Sequence, residues 1–184
     1  MARVSGDAAQ TPFNVRTNWA QFNFATNHNG LNPYENVLSP STVGNLGLRW
    51  SYPTGNRVAS SPAVANGVVY AGSLDNNVYA LNASTGAKLW QTAVYLGTDA
   101  AVANGVVYVG SGDYNVYALN ASTGAELWQF TTGNFVESSP VVANGVVYVG
   151  SDDNNIYAFK MTNPAEAPAR PDPATLRPNL GLGK

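Results

Sequence analysis

The 184 residues carry nine basic and eleven acidic side chains, for a formal net charge of -2, and are 45% hydrophobic; such a chain can bury a core and is globular rather than disordered. Between Arg57 and Met161 three basic residues stand against seven acidic ones, which argues against a nucleic-acid or anionic-membrane surface there. Cysteine is absent, so a disulfide scaffold and a thiolate metal site are excluded, and no apolar run approaches membrane-spanning length.

Residues 1–17 mix Ala, Arg, Gln, Asn and Thr without periodicity and read as a flexible arm. The start lacks the apolar segment of a secretory signal, which leaves either a cytosolic protein or a mature form with an added Met. Residues 18–45 form a leader in which Trp19, Phe22, Phe24, Leu31 and Tyr34 supply too much apolar area to stay in solvent, so it is expected to lie against the main fold. His28 is the single histidine. In an Asn/Gly turn context, without neighbouring Asp, Glu or Cys, it reads as a turn residue and not as a metal ligand or base.

From residue 46 onward the chain is repetitive. Ala63–Trp90 returns as Ala101–Trp128 with 24 of 28 positions identical, and a third copy opens at Val141 and stops before its Trp, giving periods of 38 and 40 residues. Periods of this size mean propeller blades or helical arrays. Within a unit, short runs of Val, Tyr and Leu flank Asn-Gly, a hairpin signal because both turn residues must accept positive φ. Asp/Asn-rich and Ser-Thr-Gly turns follow, so each unit reads as four strands, A to D, of about four to six residues. The predicted fold class is all-β: a β-propeller of four-stranded antiparallel blades, about three per chain.

The predicted boundaries are an orphan strand D at 46–53, blade 1 at 57–90, blade 2 at 98–128, strands A to C of blade 3 at 136–161, and a Pro-rich tail at 162–184. The orphan rests on Trp50, which stands 13 residues before Ala63 as Trp128 stands 13 before Val141. Linkers TGNRVASSP and TGNFVESSP precede the first and third units; the second, LGTDA, is shorter and lacks Ser-Ser-Pro, which accounts for the 38-residue period. An orphan D at one end and an unfinished A-B-C at the other are complementary, so strand D of the last blade is expected to come from an N-terminal strand. The tail's prolines cannot continue a sheet interior and favour an extended path.

The most specific spacing is A-x-N-x-x-T-G-x-x-x-W, met at Ala80, Asn82, Thr85, Gly86 and Trp90 and again at Ala118, Asn120, Thr123, Gly124 and Trp128. It resembles the tryptophan-docking motif of quinoprotein-type (PQQ-like) β-propeller repeats, over roughly residues 19–161. The resemblance implies that Trp50, Trp90 and Trp128 dock each blade onto the next, near its Gly. A Trp buries a large apolar area while its N–H needs a partner, which suits a junction between sheets. The leader looks like that of bacterial members of the family, and the family often ends in similar Pro-Asp-Pro sequence; the resemblance also implies a site of action outside the cytoplasm. Some members bind PQQ with Ca²⁺ and oxidise alcohols. Those are much longer and use, variously, a catalytic Asp or His, Glu/Asn/Asp calcium ligands and a Trp floor, and many have an adjacent-Cys disulfide. With Cys absent and every Trp at a docking or leader position, neither a catalytic residue nor a PQQ site is expected in this chain.

Three loops share S-x-D-x-N: Ser73, Asp75, Asn77; Ser111, Asp113, Asn115; Ser151, Asp153, Asn155. Oxygen-rich loops can hold Ca²⁺, which makes Asp75, Asp113 and Asp153 weak calcium candidates, but tight turns select the same residues because they bond their own backbone. The sequons at Asn82 and Asn120 belong to the repeat and are read as compositional. The expected function is a non-enzymatic scaffold or a binding module for protein or small ligands; the rival is a fragment or relative of a PQQ-dependent alcohol or sugar dehydrogenase. Three blades are too few to close a ring, since propellers have about four to eight. Two chains joined head to tail make six, so a homodimer is expected.

Overall fold

The computed structural model describes residues 37–95 and 98–161; the arm, most of the leader with Trp19 and His28, and the tail lie outside the described residues. Blade 1 is a sheet of β1 (Ala63–Ala65), β2 (Val68–Ser73), β3 (Asn77–Asn82) and β4 (Lys88–Ala93). Blade 2 repeats it with β5 (Ala101–Ala103), β6 (Val106–Gly110), β7 (Asn115–Asn120) and β8 (Glu126–Thr131). Blade 3 has three strands, β9 (Val141–Ala143), β10 (Val146–Ser151) and β11 (Asn155–Lys160). Neighbours in each sheet are consecutive in sequence, and every pair is antiparallel. The described residues hold no α-helix, only a 3-10 turn at Val43–Asn45.

The turns follow from the residues that fill them. Asn66-Gly67, Asn104-Gly105 and Asn144-Gly145 all take positive φ at both positions, the twist that lets a two-residue loop join right-handed strands. In the second turn Asn76 and Asn154 take positive φ, and Tyr114 does so at the same place in blade 2. That is an unusual conformation for an aromatic residue; the Tyr114 ring lies edge-on to Phe135 at 5.1 Å. In the third turn Asn82 and Asn120 direct their side-chain oxygens at the backbone N–H groups two and three residues on, so these asparagines close their own loops.

A sheet of short strands buries its faces only against other sheets. The first strands β1, β5 and β9 lie side by side, so the blades fan out from them. A core including Tyr70, Val78, Trp90, Val107 and Leu119 joins blades 1 and 2, and Val116, Val136 and Val149 with Tyr157 and Phe159 join blades 2 and 3. Each fully buried Val or Leu contributes about 1.5–3 kcal/mol of hydrophobic stabilisation.

Within the single chain residues 46–53 form no ladder with any described strand; the sheet that lacks a fourth strand sits at the far end of the array, as expected of a strand to be paired outside its own chain. Of the leader only residues 37–45 are described, and they are largely exposed, with polar residues that bond one another, as in Ser39 and Thr42; Trp19, Phe22, Phe24, Leu31 and Tyr34, which carried the expectation of packing, lie outside the described residues. The short period of blade 2 has a different origin from the one expected. Thr98 bonds both ways with Gly110, backbone N–H to carbonyl and side-chain oxygen to N–H, where Ser60 and Ser138 grip Gly72 and Gly150. Thr98-Asp99-Ala100 therefore stands in register with the Ser-Ser-Pro segments. The two missing residues are the Gly-Asn of Gly55-Asn56 and Gly133-Asn134.

Candidate functional site at the blade junctions and the axial mouth

At each junction a Trp reaches from one blade level to the next. Trp50 Nε1 donates to the Ala83 carbonyl, and Trp90 Nε1 to the Ala121 carbonyl, both at 3.0 Å. The indoles lie so close over Gly86 and Gly124, each at φ +74, that an added Cβ would fall 2.8 Å from Trp50 and 2.7 Å from Trp90. Glycine is required there twice, for its φ and for the approach. Thr85 and Thr123 close the same turns, their hydroxyls accepting the N–H of Ala87 and Ala125. Ala80 and Ala118 stand across the ladder from Trp90 and Trp128 and are small enough to leave the indole room. The Ala121 carbonyl takes a second donor, the Tyr70 hydroxyl at 3.1 Å, and the Tyr70 and Trp90 rings pack 5.8 Å apart.

Trp128 differs. It meets the Phe159 ring of blade 3 edge-on at 4.9 Å and stays 36% exposed, against 8% for Trp90. Beyond Lys160 the chain has no Thr-Gly to form the turn that would receive it.

The three aspartates of the S-x-D-x-N loops are fastened, each in the same way. Asp75, Asp113 and Asp153 accept the hydroxyls of Tyr79, Tyr117 and Tyr157 at 2.7, 2.6 and 2.5 Å, and their other oxygens take the N–H of Asn77, Asn115 and Asn155. Asp75 and Asp153 also accept the N–H of Gly55 and Gly133, tying the incoming linker to the blade. Asp113 has no such glycine, because the Gly-Asn pair is missing from its linker. Burial works to raise each carboxyl, but the hydrogen bonds, led by the Tyr hydroxyl, outweigh it and hold all three below the ordinary value. The tyrosines move the opposite way, to about 12: the Asp75 bond leads for Tyr79, and burial followed by the aspartate bond for Tyr117 and Tyr157. These are structural clasps. Among the described residues no three His, Cys, Asp or Glu side chains gather into a group that could hold a metal ion.

The linkers converge beside the innermost strands on an open cleft of about 290 Å³, lined in part by Ser60, Thr98, Asp99, Glu137 and Ser139. Asp99 holds it together. Its Oδ1 accepts the Ser61 N–H at 2.5 Å and its Oδ2 the Ser139 hydroxyl at 3.0 Å, so one carboxylate in blade 2 bridges the linkers of blades 1 and 3. Sequence reasoning did not single out Asp99. The available signal was its register: it occupies the position of Ser61 and Ser139, the one charged residue in that column.

The profile of the family described as "Outer membrane protein assembly factor BamB" matches residues 47–95 and 75–164. The chain belongs to this family of PQQ-like repeat propellers. Solved structures similar to it include BamB from Moraxella catarrhalis, at 20% identity and TM-score 0.57 over 61% of this chain and 40% of that one. Quinohemoprotein alcohol dehydrogenase from Comamonas testosteroni gives 24% and 0.67, and the enzyme ADHIIG from Pseudomonas putida HK5 27% and 0.66, each over 78% of this chain and 25% of the other. This chain thus spans two fifths or less of these proteins. No curated protein sequence matches it.

Some propellers of this family hold a polycarboxylate quinone, and the described lining of the axial cleft does not fit one. The residues named above as its lining are two carboxylates and three hydroxyls, with Ala59 and Leu74 beside them. That set offers neither a cation to meet the quinone's carboxylates nor an aromatic floor beneath its ring, and both oxygens of Asp99 are already used.

Proposed function

We propose that this chain is a non-enzymatic propeller scaffold that binds a protein partner or a small ligand at its ring faces and works outside the cytoplasm. The observation that carries the reading is Asp99: of the two carboxylates that line the axial mouth, it spends both oxygens holding two linkers. A general acid or base needs a proton position within reach of substrate, and this group is turned to architecture instead. The family's description as an assembly factor of the outer membrane supports protein partners and an extracytoplasmic site. In this reading the Trp50 and Trp90 contacts are the family's docking contacts, the loop aspartates are clasps and not calcium ligands, and no cofactor is used.

The second reading, a fragment or relative of a PQQ-dependent dehydrogenase, draws support from the structural likeness to the alcohol dehydrogenases. One experiment separates them. The chain is incubated with PQQ and Ca²⁺, then followed for quinone absorbance and for dye-linked alcohol oxidation. The scaffold reading expects neither; turnover above the protein-free control overturns it.

A further inference from the structure

The two described ends of the array resemble the two halves of an intact blade junction. Blade 3 turns a bare face to solvent: Ile156 is 84% exposed where Val78 and Val116, at the same place in blades 1 and 2, are fully buried. Tyr148 is exposed where Tyr70 is buried, and the outer edge of β11 pairs with no described strand. At the other end, residues 47–52 read G-L-R-W-S-Y beside A-K-L-W-Q-T and A-E-L-W-Q-F of the two fourth strands. Trp50 is seated on Ala83 and Gly86 just as Trp90 of β4 is seated on Ala121 and Gly124. Residues 46–53 therefore already stand where a preceding blade's fourth strand stands, with no other strand of that blade among the described residues.

Resting on the binding reading above, we propose that the occupant of the open β11 edge is the Leu46–Tyr52 segment of a second copy, given reciprocally, so that two chains close a six-bladed ring. The intact blades set the register. β4 pairs on β3 as Ala80 with Trp90, Tyr79 with Gln91, Val78 with Thr92 and, past the bulge, Leu81 with Lys88. Carried to β11, this places Trp50 against Ala158, Ser51 against Tyr157, Tyr52 against Ile156 and Leu48 against Phe159. The last two are apolar pairs. Leu48, 86% exposed, stands where the complete blades carry Lys88 and Glu126, so the donated strand is apolar at the place where the free edge offers Phe159.

A hydrogen bond completes the match. Ala121 O accepts from Tyr70 and from Trp90, two residues of the same preceding blade. Among the described residues, Ala83 O accepts from the Trp50 indole alone. In the composite blade, Tyr148 of the second copy takes the position of Tyr70 and brings the second donor to Ala83. The contact is heterologous and closes after two copies, so no apolar edge is left over.

The test uses the full chain, which lacks native cysteine. Light scattering at micromolar concentration should show a species of about twice 19.3 kDa. Ile156→Arg, at a position exposed in the single chain, should convert it to monomer with unchanged circular dichroism. A mixture of the single variants Tyr52→Cys and Ile156→Cys should oxidise to a covalent dimer, since paired strand residues meet disulfide geometry. A mixture of Arg49→Cys and Ile156→Cys should not. A wild-type monomer, an assembly larger than two copies, or cross-linking through Arg49→Cys in place of Tyr52→Cys overturns the proposal. A monomer that still captures a ligand would sink the ring and leave the binding reading standing, whereas a dimer that oxidises alcohol would do the reverse.

Discussion

The junction between blades 1 and 2 and the face of blade 3 are built from nearly the same residues and have opposite fates. Tyr70, Val78 and Trp90 are sealed in the first; Tyr148 and Ile156 in blade 3, and Trp128 one blade earlier, are wholly or partly open. The difference lies in what stands opposite. Ala121 and Gly124 receive Trp90 with a carbonyl and a surface free of side chain, whereas Trp128 meets only the edge of Phe159. Burial is a property of a pair of blades, and a repeat unit acquires it from its neighbour.

The largest expected effect tests that contrast directly. Trp90→Ala should cost about 3–5 kcal/mol, the range for removing a buried aromatic, and Trp128→Ala about 1–2 kcal/mol, because its site opens to solvent and leaves little cavity. Urea unfolding measures both. Equal losses would show that the second junction is as tight as the first.

Next comes the receiving surface. Gly124→Ala must place a methyl 2.6 Å from the Thr92 hydroxyl and 2.7 Å from Trp90 while keeping φ at +74, at a cost of about 2–4 kcal/mol. Gly105→Ala has a similar φ, +79, with nothing within 4 Å, and should cost about 1 kcal/mol. Thermal unfolding of the two variants separates close approach from backbone strain; a Gly124 variant no worse than the Gly105 variant would mean that the indole moves aside.

Smaller again is the aspartate clasp. Asp153→Asn weakens the acceptor for both Tyr157 and the Gly133 N–H and should cost about 1–2 kcal/mol. Asp113→Asn, which has no linker N–H to lose, should cost less than half of that. If the two losses match, the linker tie contributes nothing.

The smallest effect is in pH. Aspartates held below their unfolded value bind fewer protons in the folded state, so their stabilisation is present above the ordinary carboxylate range and fades as pH falls through the depressed values. The tyrosines, raised from 10.0 to about 12, bind more protons in the folded state, so their contribution is full below 10 and is lost between there and about 12. Tyr157→Phe should flatten part of the alkaline loss in a melting-temperature profile. An unchanged slope would show that its hydroxyl titrates as in the unfolded chain.

The sequence by itself determined the strands, the turns and the number of blades, because these depend on residues a few positions apart. Asn-Gly must take positive φ, Asp and Asn close their own loops, and alternating Val and Tyr make a ladder. It also placed Gly86 and Gly124 four residues before Trp90 and Trp128, the right residue types for the junctions. The family resemblance assigned each Trp to the Gly of the next blade, and the tertiary structure supplied the contact itself: Gly124 receives Trp90, 34 residues earlier, and Gly86 receives Trp50, each within van der Waals overlap of an added Cβ. The tertiary structure alone decided that Leu46–Tyr52 joins no described strand of its own chain, that the missing residues of the second linker are Gly-Asn, and that Asp99 bridges Ser61 and Ser139 across 38 and 40 residues. The reason is the same throughout. A spacing within one unit is written in that unit, while a contact between units depends on how the sheets stack, and near-identical repeats offer the same partners to every copy.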